Sequence, residues 1–206
     1  MKRIILIFLC MSFSNLTFAS IVGVSPGGQQ LMSAVTVQED SPTNTIQQGF
    51  NEKQNVLLTT NLNYTGGTIA SGTRVDSHLI FLNTEEGTKK IDTTAVWKFS
   101  GDILGIMSNG NGSDFMNSNT LFGDPNNFTI GTNTGTFNGF GLEGNDEMSF
   151  TGNTLELRML VTEPGDWIRV VTASAVPLPA AVWLMGSGLV GLIGYSRKNK
   201  QQVVNV

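Results

Sequence analysis

His78 is the chain's single histidine, and it stands in the run Arg74-Val75-Asp76-Ser77-His78. Hydroxyl, imidazole and carboxylate are the parts of an acyl-transfer site, so catalysis is sought here first. The spacing argues against it. The run reads as a strand, and successive strand residues point to opposite faces, so Ser77 and His78 do not meet. Arg74, Asp76 and His78 share one face, which reads as a polar surface. A metal site with two histidines is ruled out by the count. Calcium needs only oxygen ligands, about six to eight of them. Asp114, Asp124 and Asp146 are its candidates, with Asn109, Asn111, Asn126 and Asn127 nearby, but no EF-hand spacing appears. The same Asn, Asp and Gly residues read equally as turn formers. Glu85-Glu86 and Asp146-Glu147 are adjacent pairs, and adjacency does not set the carboxylate separation that glycoside hydrolysis needs. Trp97, Trp167 and Tyr64 could stack on sugars, although Trp97 shares a strand face with Ala95 and Phe99, which favours core packing. No catalytic residue and no cofactor is assigned, and no metal site beyond the calcium candidates.

The elements that would hold these residues are strands. Val56 to Tyr64 is β-prone, and Gly66-Gly67 marks a turn. Thr73 to Asn83 alternates and then becomes continuously apolar at Leu79 to Leu82, the pattern of a strand covered on both sides. Thr94 to Ser100 alternates, Gly101-Asp102 breaks it, and Ile103 to Met107 is another short strand. Ser108 to Asn127 is the largest irregular stretch, expected to be a loop docked by Phe115, Met116, Leu121 and Phe122 with one helical turn. Phe128 to Ile130, Gly135 to Leu142 and Glu147 to Phe150 are weaker strand candidates. Thr154 to Val161 and Trp167 to Thr172 are strong ones, and the turn at Glu163-Pro164-Gly165-Asp166 predicts a hairpin between them. Strands separated by short turns imply an all-β domain, an antiparallel β-sandwich or jelly roll, over 50–175. Residues 20–49 read as a weakly structured lead-in.

Composition agrees with strands. Between the two chain ends the sequence is rich in Gly, Asn, Thr and Ser and poor in helix formers. The formal charge of −4 conceals an asymmetry: residues 20–175 carry seven basic residues against all 16 acidic ones, a net −9. So acidic a domain is a poor partner for nucleic acid.

The chain ends read as targeting segments. In residues 1–19, Lys2 and Arg3 precede an apolar run from Ile4 to Met11, and Thr17-Phe18-Ala19 sets cleavage between Ala19 and Ser20. Cys10, the single cysteine, would leave with that segment, so disulfides and thiolate chemistry are excluded from the remainder. Leu9 before it argues against lipidation. At the other end Val176-Pro177-Leu178-Pro179-Ala180 is followed by an uncharged apolar run to Tyr195 and then by Arg197, Lys198 and Lys200. A membrane-crossing helix needs roughly 20 apolar residues, and a basic flank marks its cytoplasmic side. The span is expected over about 179–195 in a segment of 176–200, with 201–206 as a cytoplasmic tail. Pro177 and Pro179 keep Val176 and Leu178 extended, the geometry a protease grips.

Motif, span and basic tail in that order resemble the C-terminal sorting signal of the PEP-CTERM family of exported bacterial proteins, in its VPLPA form. Leu178 departs from the parent motif, which has Glu there. The resemblance covers Val176 to Lys200 and includes Trp183-Leu184, Gly186-Ser187-Gly188-Leu189 and Gly191-Leu192. It implies a partner, an exosortase, which is a membrane-embedded cysteine transpeptidase that owns the catalytic residues while this chain is its substrate. Phe50 to Thr172 also resembles a domain found in PEP-CTERM proteins. The resemblance rests on Phe50-Asn51-Glu52, Gly72-Thr73-Arg74-Val75-Asp76-Ser77-His78, Gly101-Asp102-Ile103-Leu104-Gly105 and Pro164-Gly165-Asp166-Trp167-Ile168-Arg169-Val170. It brings no activity with it. The expectation is an exported, non-enzymatic protein, held in the membrane by its C-terminal helix until processed, then placed at the cell surface or in the extracellular matrix. Extracellular polysaccharide is the further partner this reading admits. A carbohydrate-binding or calcium-dependent adhesive module is its rival, and a secreted hydrolase stands further back.

Overall fold

The computed structural model describes residues 20–38, 41–85, 87, 90–123, 141–162 and 165–174, together with Gly186 and Gly188. The chain divides into two compact units, one of Phe18–Ala175 and one of Met1–Thr17 with Val176–Val206. Of the second unit only Gly186 and Gly188 are described, both helical. The signal segment, sorting motif, basic tail and, apart from those two glycines, the expected span therefore lie outside the described residues, as do the weak strand candidates between 128 and 140.

The larger unit is mostly β. A four-stranded antiparallel sheet has the order β1 (Ile21–Val24), β7 (Ile91–Phe99), β10 (Thr154–Val161), β9 (Glu147–Thr151). A five-stranded sheet has the order β2 (Gly28–Gln30), β3 (Gln47–Leu57), β6 (Arg74–Leu82), β11 (Asp166–Ala173), β8 (Ile103–Met107). A small hairpin pairs β4 (Leu62–Tyr64) with β5 (Gly67–Ile69), and a helix, α1 (Ser113–Phe122), follows β8. The five-stranded sheet is mixed rather than wholly antiparallel, because β2 runs parallel to β3.

Burial explains the layering. In β7 and β10 only alternate residues are buried, Ala95, Trp97 and Phe99 on one strand and Leu155, Leu157, Met159 and Val161 on the other. They meet Ile80 and Leu82 of β6 and Ile168 and Val170 of β11 in one apolar core between the two sheets, a sandwich-like arrangement. β6 and β11 are buried along almost their whole length. Their second face packs Val75, Leu79, Phe81, Trp167 and Val171 against Phe115 and Phe122 of α1 and Ile69 of β5. The continuous apolar run in β6 thus has the cause expected of it: layers lie on both of its sides.

One buried polar side chain registers the two sheets. Gln47 of β3 donates to the carbonyls of Thr93 (3.1 Å) and Leu157 (2.9 Å) and accepts from the Trp97 indole (2.8 Å). Trp97 lies over a hollow made by glycines: a Cβ at Gly49 would stand 2.9 Å from its ring, and one at Gly28 3.0 Å.

Three expectations are corrected. The segment 20–49 is no loose lead-in, since it supplies β1, β2 and the start of β3, and the backbone of Ser20 pairs with Ser100. Leu31 to Val37 within it is irregular, and Val37 is fully buried. The hairpin between β10 and β11 does not form, because the two strands belong to different sheets. Their burial demands this: β10 has one wet face, whereas β11 is buried on both and must sit centrally between layers. Half of the stretch read as a loop is α1. Asn111 and Asn109 accept from the free N–H groups of Ser113 and Asp114 (3.0 Å each), and Phe115, Ser118 and Phe122 form the buried stripe.

Candidate functional site

The five-stranded sheet carries a polar seam through its middle. His78, expected at the surface, is wholly buried. Its Nδ1 lies 2.9 Å from Asn51 Oδ1, its Nε2 lies 3.0 Å from Thr172 Oγ1, and its ring packs against Phe99 at 4.8 Å. The reason is β6's position: a central strand has no outer face, so a polar residue on it must be satisfied inside. Burial lowers the His78 pKa to about 3, so the imidazole is neutral. Ser77 points the other way and donates to Glu52 Oε2 (2.5 Å). The alternation that separates Ser77 from His78 in sequence holds in space.

Glu52 belongs to a second cluster on the helix side. Arg169 of β11 is completely buried and forms a forked pair with it, Nε to Oε2 at 2.7 Å and Nη2 to Oε1 at 2.6 Å. The same guanidinium donates to the Phe115 carbonyl (3.0 Å), to Ser118 Oγ and to Asn119 Oδ1 (2.8 Å), and it lies 4.2 Å from the Phe115 ring centre. One arginine thus ties β3, β11 and α1 together. Asp76, also buried, accepts from the Asn55 N–H and from Ser174 Oγ (3.0 Å). Trp167 donates its indole N–H to Asn83 (2.6 Å). Asn51 and Glu52, Ser77 and His78, and Arg169, distant in sequence, therefore meet inside the sheet in two buried clusters, one around His78 and one around Arg169.

A groove of about 410 Å³ opens above α1. Thr59, Thr60 and Asn61 line one wall, and Asp114, Asn117 and Leu121 line the other. The last three are spaced i, i+3, i+7, so they form one stripe of the helix, beside the buried stripe of Phe115, Ser118 and Phe122.

The calcium candidates do not converge. Asp114 accepts from Thr65 Oγ1 (3.1 Å). Asp146 accepts from the N–H groups of Glu143 (2.6 Å) and Leu160 (2.7 Å), which makes it a loop brace. Asp124 lies outside the described residues, among which no three His, Cys, Asp or Glu side chains gather as metal ligands. Trp97 and Trp167 are buried core residues and offer no stacking platform. Among the described residues no helix is long and apolar enough to cross a membrane.

Asp166 was missed by sequence reasoning. It is buried at the start of β11, and its Oδ2 has no hydrogen-bond partner among the described residues. Burial, with Asp146 and Glu143 nearby, pushes its pKa up to about 8. Nothing in the turn sequence Glu163-Pro164-Gly165-Asp166 distinguishes this carboxylate from that of Glu163. Arg169 was equally hidden, because only the partners brought by β3 and α1 make an arginine inside a strand of Trp, Ile and Val intelligible.

No family model matches the chain, and comparison with curated proteins and with solved structures finds no match either.

Proposed function

We propose that this chain is an exported bacterial protein of the cell surface or extracellular matrix, non-enzymatic, and sorted by an exosortase through its C-terminal signal. The observation that carries the reading is the order of Val176-Pro177-Leu178-Pro179-Ala180, an apolar run and the basic cluster Arg197, Lys198 and Lys200. In this reading the polypeptide is held by one C-terminal span until it is cut, and the body of Phe18–Ala175 is the product. Two features of that body are in keeping with it. Its chemistry-bearing side chains are turned inward: His78 engages both ring nitrogens, and Glu52 is paired with Arg169. Its two ends lie together: Ser20 hydrogen-bonds Ser100, and Ala173 hydrogen-bonds Asp102 two residues on (2.8 Å). A leader and a sorting signal would thus both attach at one pole, and both could be removed without disturbing a strand. On the same reading the two layers form a jelly-roll-like sandwich that serves as a scaffold.

Intact mass of the protein recovered from its own cells, with and without the exosortase gene, tests this. A C-terminus between Val176 and Ala180 only when the enzyme is present is the expected result. A product that keeps Gly186 to Lys200 in both strains would sink the sorting reading.

A further inference from the structure

The groove above α1 is built from hydroxyls and amides rather than charges or rings. Thr59, Thr60 and Asn117 are exposed, and among the described residues their side chains make no hydrogen bond to the protein. Among the described residues Asp114 supplies the single carboxylate of the lining and no Lys or Arg lines it; Lys53, the cation beside it, is engaged by the Leu121 carbonyl (2.9 Å). An anionic ligand would meet that carboxylate with no cation in the lining, so phosphate, nucleic acid and acidic sugars are disfavoured. Among the described residues no aromatic ring lines the groove, and Leu62 and Leu121 are the two apolar side chains in a lining of ten, so a planar or wholly apolar ligand is poorly matched. What remains is a neutral, hydroxyl-rich chain that takes hydrogen bonds from side chains able both to donate and to accept. The volume of about 410 Å³ lies within the small-ligand range of about 300–1,000 Å³.

Both walls are held. α1 is fastened from beneath by Arg169 through Phe115, Ser118 and Asn119. The opposite wall is pinned where Asn61 Oδ1 accepts from the Ser71 N–H (3.0 Å) and where Leu58 pairs with Thr73 (2.9 Å) and Gly72 (2.8 Å). A buried ion pair is a poor way to gain stability, and its best attested use is to fix one arrangement among several. Here it fixes the face that carries Asp114, Asn117 and Leu121. A wall ordered in advance loses less entropy when a ligand binds. We propose that this groove is a binding site for a short segment of neutral polysaccharide. The inference stands on the groove alone and does not depend on how the chain is sorted.

The test uses the full chain in a zwitterionic detergent without a sugar headgroup. Neutral oligosaccharides (glucan, mannan and galactan fragments) and an acidic one (oligogalacturonate) are titrated calorimetrically into wild type, Asn117→Ala and Thr60→Val. Both substitutions are at exposed positions, and unchanged thermal midpoints show that the fold is intact. The expected result is that at least one neutral series binds, that each substitution weakens it about tenfold, and that the acidic series does not bind. Absence of binding by every neutral series, binding that both variants retain, or preference for the acidic series would each overturn the proposal. None of these outcomes bears on C-terminal processing, which the mass measurement reads separately.

Discussion

His78 and Asp166 are both buried in the neutral state, and they limit stability from opposite sides of the pH scale. The His78 pKa falls from 6.5 to about 3 on folding, so between those values the unfolded chain binds the extra proton and stability drops as pH falls. The Asp166 pKa rises from 3.8 to about 8, so between those values the folded chain holds the extra proton and stability drops as pH rises. From about pH 4 to 6.5 the two slopes oppose each other, and the expected curve is nearly flat. Above pH 6.5 Asp166 acts alone and stability declines towards pH 8; below pH 4 His78 acts alone. Urea unfolding from pH 3 to 9 should therefore show that Asp166→Asn removes the alkaline decline. His78→Gln, which can still reach Asn51 or Thr172, should remove the acid one. An alkaline decline of equal slope in wild type and Asp166→Asn would mean that this carboxyl is not the group responsible.

At the scale of elements, α1 shows what pattern reading reaches and where it stops. Strands β6, β7, β8 and β10 were legible because their signal is local: alternation or a continuous apolar run reports how many faces are covered. α1 was not, because Asn117, Ser118, Asn119 and Thr120 are weak helix formers, and its stability comes from contacts with distant strands. Pairing was equally out of reach. Thr154 to Val161 and Trp167 to Thr172 look like hairpin partners until the covered second face of β11 is taken into account. The Arg169–Glu52 pair explains both failures, since it joins residues far apart in sequence through a helix that sequence reasoning had dissolved into a loop. Arg169→Met leaves Glu52 buried without its cation and should cost about 3–5 kcal/mol in equilibrium unfolding. Amide exchange in Ser113–Phe122 should accelerate more than in β10. Adding Glu52→Gln to Arg169→Met should recover a large part of the loss, because the orphaned charge is gone. If the double variant is no more stable than the single one, the pair acts by packing alone and not by mutual neutralisation.

At the scale of the molecule, the unit Phe18–Ala175 brings its two described ends, Ser20 and Ser174, to one pole, and its last strand is interior to a sheet. β11 lies between β6 and β8, and its inward faces feed both apolar cores. Ser174, the last residue of this body to be described, is still bound, its N–H to the Arg74 carbonyl (3.1 Å) and its hydroxyl to Asp76 (3.0 Å). Among the described residues a cut after Ser174 removes no contact that either core uses, whereas a cut before Asp166 removes an interior strand of the five-stranded sheet. The sensitivity of the fold to C-terminal trimming should therefore be a step and not a slope. A chain of residues 20–175 is expected to unfold within about 0.5 kcal/mol of the full chain in urea, as changes away from the core do. A chain ending at Val161 loses Trp167, Ile168, Val170 and Val171 from the two cores and should show no cooperative transition. Near-equal midpoints for the full chain and for 20–175, beside an unfolded 20–161, would place the body's boundary at the edge of the Val176-Pro177-Leu178-Pro179-Ala180 motif. Large destabilisation of 20–175 would mean instead that the terminal unit contributes to the fold, and that removing it could not leave a working product.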